Sequence, residues 1–214
     1  MTLASTSTAV AAAPSVRVAA KRSLDVAGAL VLLGLLLPVL AVAAAWVWSH
    51  DRGPIVFTQT RLGREGRPFT CLKLRTMAVD AEEALLALAE RTRPVDGLFK
   101  LADDPRLTGP GRSLRRMSID EIPQLVNVIR GDMSLVGPRP ILPSEVGLYG
   151  EAFPLRQSVR PGLTGLWQVS GRSDLSLEDS VRLDVRYATR WSLGMDVWVL
   201  AKTIPAVLTR RGAY

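Results

Sequence analysis

The hydrophobic pattern divides the chain into an unpatterned leader, an apolar anchor and a mixed domain. Residues 1–16 are mostly Ala, Ser, Thr and Val without periodicity and read as a disordered leader. Residues 17–52 hold the basic group Arg17, Lys21 and Arg22, then Asp25, then an uncharged apolar run from Val26 to Trp48. That run is long enough for a membrane helix. Three readings compete for it. A secretory signal peptide fits the basic start and the Ala43-x-Ala45 pair, but the apolar stretch continues to Trp46 and Trp48. A single-pass span is the simplest alternative. The third is a helix that enters the bilayer, bends at Pro38 and leaves on the same side. Lys21 and Arg22 precede the run and Arg52, Arg61 and Arg64 follow it, so charge gives no inside–outside asymmetry.

Residues 53–214 show shorter periods. Ile55–Gln59 and Phe69–Leu74 predict two strands, with Arg61-Leu-Gly-Arg-Glu-Gly-Arg67 supplying a hairpin turn. Alternation places Lys73 and Arg75 on one face with Cys71. Val79 to about Arg93 predicts a helix with acidic residues early and basic residues late. Asp103-Asp104-Pro105 opens a loop that Gly109-Pro110-Gly111 closes. A basic stretch leads into Ser118, where a helix begins and runs to about Ile129, with Gly131 as its stop. Gly137–Pro140 and Arg160–Gly162 are stiff turns, Leu163–Val169 predicts a strand, and Leu177–Trp191 a helix. The apolar stretch Met195–Leu208 fits either a helix on a membrane surface or one packed on the core. No internal repeat occurs. The class expected is α+β and helix-rich, with a β-hairpin.

Composition narrows the chemistry. The formal charge is +7, which points to anionic partners. One cysteine, Cys71, excludes an internal disulfide framework, and one histidine, His50, excludes a histidine-built zinc site. Catalysis must then rest on carboxylates, lysine and arginine. Aromatic residues are 6% of the chain and no RNA- or DNA-binding motif occurs, so nucleic acid is not an expected partner. No P-loop and no dinucleotide fingerprint is present.

Asp120-Glu121 is the pair of greatest interest. Ser118-x-x-Glu121 has the form of a capping box, and Asp120 is the alternative cap, which would place Pro123 within the first turn. Equally, an ionised Asp among arginines can attack phosphorus, while its neighbour suits a hard divalent ion. The residues alone leave capping and catalysis open. Arg112, Arg115 and Arg116 precede the pair, and Arg139 and Arg160 sit where proline stiffens the backbone.

The motifs Lys21-Arg-Ser-Leu-Asp25, Gly53-Pro-Ile-Val-Phe-Thr-Gln59 and Leu72-Lys-Leu-Arg-Thr-Met77 come in that order. They are followed by Ser118-Ile-Asp-Glu-Ile-Pro-Gln-Leu125, by Asn127 through Gly137-Pro-Arg-Pro140, and by Arg160-Pro-Gly-Leu-Thr-Gly-Leu-Trp-Gln-Val-Ser-Gly-Arg172. In this series the chain resembles the monotopic phosphoglycosyl transferases, from about Lys21 to Tyr214. The resemblance implies a re-entrant membrane helix and a catalytic domain on the cytoplasmic face of the bacterial plasma membrane. One departure is Leu37-Pro38, where the family often has Ser-Pro. The resemblance further implies Asp120 as nucleophile and Glu121 as Mg²⁺ ligand, with Lys73, Arg115, Arg139, Arg156 and Arg160 binding substrate phosphates. It implies a UDP-sugar donor, release of UMP, a phosphosugar–Asp intermediate and a polyprenyl (undecaprenyl) phosphate acceptor. The stretch Gly165–Ser173 and the ending Arg210–Tyr214 look like exopolysaccharide-initiating members, which favours glucose or galactose. A homodimer is compatible with the resemblance. The rival readings are a membrane-anchored nucleic-acid binder and a non-catalytic scaffold of polysaccharide export.

Overall fold

The computed structural model describes residues 15–79, 81 and 104–209. Most of the expected leader, nearly all of the helix expected from Val79 to Arg93, and the Arg210–Tyr214 ending lie outside them. Helix α1 runs from Ser15 to Asp51 and continues through Pro38. Its inward face is spaced three and four residues apart: Lys21, Asp25, Ala29, Leu33, Leu36, Leu40, Ala43 and Val47. The opposite face leaves Leu30, Val31, Leu35, Leu37, Val42, Trp46 and Trp48 exposed. Among the described residues this is the one helix long and apolar enough to cross a membrane.

Strands β1 (Val56–Leu62) and β2 (Pro68–Leu74) form the expected antiparallel hairpin, each longer than the pattern indicated. Glu65 and Gly66 turn it with left-handed backbone. The basic stretch expected as a connection is instead helix α2 (Gly109–Arg116), capped by the Thr108 hydroxyl, which accepts a hydrogen bond from the Gly111 amide. A 3₁₀ turn at Ile119–Glu121 leads into helix α3 (Gln124–Arg130), which ends at Gly131 as expected, in the left-handed conformation. Strand β3 (Ser134–Val136) pairs in parallel with strand β4 (Gly162–Thr164), a pairing the pattern did not indicate. A short helix, α4 (Ala152–Arg156), lies between them.

The strand expected over Leu163–Val169 stops at Thr164. Leu166–Ser170 is helix α5, because Gly165 ends the extended run and Leu166 and Trp167 turn inward as one helical step. Gly137 and Gly162 allow the closest approach in this region: a Cβ on Gly162 would lie 2.0 Å from the Gly137 nitrogen. Helix α6 (Leu177–Arg190) matches expectation and is capped by Ser176. The C-terminal apolar stretch forms helix α7 (Leu193–Thr209), one side of which packs on the core. Asp196 and Val199 pack inward, while Val197, Trp198, Leu200, Ile204 and Leu208 are exposed.

A buried polar network fastens α1 to this domain. Lys21 Nζ donates to Asp196 at 2.7 Å and to the Val136 carbonyl at 3.3 Å. Asp25 accepts from the Ser134 hydroxyl and the Leu135 amide at 3.0 and 3.1 Å. Tyr187 and Trp191 complete the shell of Asp196 at 2.7 and 3.0 Å. Arg22 donates to the carbonyls of Val128 and Ile129 at 2.6 and 2.8 Å, closing the C-terminal end of α3. At the other end of α1, Asp51 pairs with Arg75. Asp196→Ala leaves Lys21, Tyr187 and Trp191 without their shared acceptor. We expect it to remove about 3 kcal/mol or more of stability, a fall of roughly 10 °C in Tm in detergent, whereas the exposed Glu178→Ala should leave Tm unchanged.

Candidate active site

Helix α2 delivers Arg115 in its last turn, and the chain reverses at Ser118, whose φ of 55° places it in the left-handed region. For a residue with a Cβ that conformation costs roughly 1 kcal/mol, and it lies two residues before Asp120. The capping box does not form, since Ser118 makes no side-chain cap and Pro123 precedes the first residue of α3. Neither Ser118 nor Asp120 is therefore the cap of α3. The 3₁₀ turn holds Asp120 buried, at 5% exposure, and leaves Glu121 at the surface of a recess.

The hairpin forms the facing wall. Phe57, Gln59 and Arg61 lie opposite Lys73, Cys71 and Phe69, so these residues share one face. Lys73 donates to Glu121 at 2.7 Å. Arg75, expected on the same face, lies beyond the strand end and turns away to Asp51 and the Pro54 carbonyl. Asn127 sets the distance between the hairpin and the carboxylates. It is fully buried, accepts from the Leu72 amide at 3.0 Å and donates to the Thr70 carbonyl at 2.7 Å, so it pairs the free edge of β2 as a further strand would.

Charge organises the recess. Burial pushes the Asp120 carboxyl up to about 6, against the pull of Lys73 and Arg115 and with help from the adjacent Glu121. Glu121 is held below the usual carboxylate range; burial works against this, and Lys73, Arg139 and Arg172 prevail. Arg115 is braced by the Thr76 hydroxyl at 3.0 Å. Arg139 is exposed, beside the ring of Trp167 at 5.6 Å. Arg61, expected as a flank of the apolar run and the start of the hairpin turn, lies within β1, is buried, donates to the Pro140 carbonyl and to Gln59, and lies within the field of Arg139 and Glu121. Strand alternation carried back from Lys73 across the hairpin would have found it. Arg172, the residue closing the last motif, had no separate signal.

The structure thus brings Lys73, Arg115, Arg139, Asp120 and Glu121 together. Arg156 and Arg160 stand apart from the carboxylates. Arg156 is fully buried against Asp184 at 2.8 Å. Arg160 donates to the Gly131 carbonyl at 2.8 Å, in the neighbourhood of Arg22 and Arg64. Among the described residues no three His, Cys, Asp or Glu side chains converge into a metal cage. The part-exposed Glu121 carboxylate fits an ion that draws its other ligands from water and substrate phosphates, as Mg²⁺ does.

An apolar helix docked on a domain whose cation-rich recess holds paired carboxylates is the build of a membrane-associated transferase of anionic groups. Residues 16–210 match the bacterial sugar transferase family, and the chain belongs to that family, the polyprenyl glycosylphosphotransferases. It is 47% identical to the UDP-galactose-lipid carrier transferase of Erwinia amylovora, over 91% of this chain and 41% of that protein. It is 44% identical to the exopolysaccharide production protein ExoY of Rhizobium meliloti, over 91% of this chain and 88% of that protein. It is 41% identical to the UDP-glucose:undecaprenyl-phosphate glucose-1-phosphate transferase of Caulobacter vibrioides, over 91% of this chain and 72% of that protein. The chain therefore spans about two fifths of the Erwinia relative and most of the Rhizobium one.

The raised Asp120 carboxyl makes a stability prediction. A group whose folded value lies above its unfolded value adds stability below the unfolded value and loses it as pH rises through the folded one. Ionised Asp120 therefore opposes folding at neutral pH. In metal-free buffer, Asp120→Asn should raise Tm at pH 7 by up to about 10 °C, corresponding to up to about 3 kcal/mol, and the gain should vanish near pH 4. Thermal unfolding at the two pH values checks both the sign and the window.

Proposed function

We propose that the protein transfers a sugar 1-phosphate from a UDP-sugar to polyprenyl phosphate, releasing UMP, as the first membrane step of exopolysaccharide synthesis. The observation that carries this reading is the buried Asp120 beside Glu121, faced by Lys73, Arg115 and Arg139, on a turn packed against the second half of an apolar helix. An Asp120 carboxylate oxygen attacks the sugar-bearing phosphorus. The bond from that phosphorus to the bridging oxygen breaks, and UMP leaves with the oxygen and the electron pair. An oxygen of the lipid phosphate then attacks the same phosphorus, breaks its bond to Asp120 and restores the free carboxylate. Both substrates and the nucleophile are anionic, so Lys73, Arg115 and Arg139 lower their repulsion and stabilise the charge on the transferred group.

Glu121 and the substrate phosphates would hold Mg²⁺, which when bound adds positive charge to the diphosphate. Lys73 engages only Oε1 of Glu121, so Oε2 would remain open to the ion while the lysine stays beside the phosphates. Arg61 and Arg156 brace the backbone beside Arg139, and Arg160 holds the chain end of α3. The family's glucose and galactose relatives support a hexose donor for this chain.

The membrane arrangement follows from α1. Lys21 and Asp51, near its two ends, are both tied to the same domain. A straight 37-residue helix would measure about 55 Å, well beyond the ~30 Å bilayer core. Both ends on one side of the membrane is the reading these ties support, with a re-entrant dip at Pro38, which leaves the Gly34 carbonyl without its helical partner. The exposed apolar face of α7 lies against the same surface, the cytoplasmic one. An apolar groove of about 390 Å³, lined by Pro38, Val42, Trp46, Leu114, Met117 and Ile119, lies between α1 and the end of α2. Its wall ends one residue from Asp120, which suits delivery of a polyprenyl chain from the bilayer.

Purified protein in nanodiscs with polyprenyl phosphate, Mg²⁺ and a panel of UDP-sugars should release UMP with UDP-glucose or UDP-galactose. Asp120→Asn should lower release at least 10³-fold, and Lys73→Ala about tenfold to a hundredfold. UMP release by folded, lipid-embedded Asp120→Asn at the wild-type rate would remove Asp120 as the nucleophile.

A further inference from the structure

Arg139 is an exposed cation in an irregular segment, yet its backbone is held on every side. The Gly137 amide donates to the Thr164 carbonyl at 2.9 Å, and the Pro138 carbonyl accepts from the Gly162 amide at 2.8 Å. The Pro140 carbonyl accepts from Arg61 at 3.1 Å, and the Arg139 carbonyl accepts from Arg156 Nη2. Each carbonyl from Pro138 to Pro140 is thus taken by a donor of the domain, while the Arg139 side chain faces outward.

The donor at Arg139 is unusual. Arg156 is fully buried, its guanidinium lies over the Tyr149 ring at 4.7 Å, and its charge is matched by Asp184 of α6 at 2.8 and 2.9 Å. Asp184 is itself only 3% exposed. A buried ion pair of this kind adds little stability by itself, because desolvation offsets the attraction. What the pair adds is geometry: a planar guanidinium fixed through Nε and Nη2 on one carboxylate keeps a single orientation. The same Nη2 then reaches the Arg139 carbonyl.

We propose that Asp184, acting through Arg156 and on the backbone amide of Arg139 beside it, is the positioning residue that fixes Arg139 at the diphosphate site. The inference rests on Arg139 serving the donor phosphates as set out above. No other role for Asp184 is needed, since it touches neither carboxylate of the dyad.

The test is a double-mutant cycle of Asp184→Asn with Arg139→Ala, read in kcat/KM for the UDP-sugar and in Tm. Each single variant should lose about tenfold in kcat/KM. The double variant should be no worse than Arg139→Ala alone, while the Tm loss of Asp184→Asn is the same in both backgrounds. Losses in kcat/KM that multiply would overturn the proposal, because Asp184 would then act independently of Arg139. If Asp184→Asn fails to fold, Arg156→Lys takes its place, since a lysine cannot serve the carboxylate and the carbonyl in the same geometry. Amide exchange over residues 137–142, followed without substrate, separates this proposal from the reaction itself. Faster exchange there in the Asp184 or Arg156 variant supports the brace even if no UDP-sugar is turned over, and unchanged exchange refutes it.

Discussion

The ion pair between Lys21 and Asp196 is the contact on which the architecture depends. A long apolar helix has no intrinsic reason to dock on a polar domain, and in a bilayer its exposed face would be as content with lipid as with protein. The buried charge at Asp196 supplies the reason. It needs Lys21, and with Tyr187 and Trp191 it joins the first helix to the junction of α6 and α7. Asp25 adds β3, and Arg22 adds the end of α3. Because α3 begins three residues after Glu121, the helix that meets the membrane and the turn that carries the carboxylates form one rigid unit. Such coupling fixes the carboxylates relative to the apolar face of α1.

The centre itself balances opposite demands. Asp120 is poorly solvated, and burial makes its charge costly. The domain answers with cations placed at several distances: Lys73 and Arg115 near the pair, Arg139, Arg61 and Arg172 further out. The result is two adjacent carboxylates with divergent properties, Asp120 raised and Glu121 lowered. The arrangement resembles other sites where environment, not residue type, divides the labour between like groups. Left-handed backbone at Ser118 and Arg172 marks the two places where the chain turns to bring these groups in.

Much of this was legible in the sequence. The hairpin declared itself by alternation and a glycine-rich turn, α6 by its period, and the end of α3 by Gly131. The paired carboxylates and Lys73 were found through ordered motifs more than through spacing. Errors arose where local signals conflict. Gly109-Pro-Gly reads as a loop, although a Thr cap at 108 with proline at the second helical position is also a helix start, and the helix prevailed. Leu163–Val169 is an apolar run that suits strand or helix, and Gly165 divides it between the two. Arg156 and Arg160 enter as phosphate ligands through the resemblance, and in the structure both donate to groups of the domain, Arg156 to Asp184 and Arg160 to the Gly131 carbonyl. Whether an arginine is consumed internally depends on a partner such as Asp184, 28 residues away in the chain, and no local pattern reports that.

The central claim is that Asp120 forms a covalent bond to the sugar phosphate. Rapid acid quenching of protein with UDP-sugar, in the absence of lipid acceptor, followed by mass spectrometry of the peptide containing Asp120 and Glu121, tests it directly. The account predicts a sugar-phosphate adduct on Asp120, lost on adding polyprenyl phosphate and absent from Asp120→Asn. An enzyme that turns over with both substrates yet never carries the adduct, or carries it on Glu121, would contradict the account.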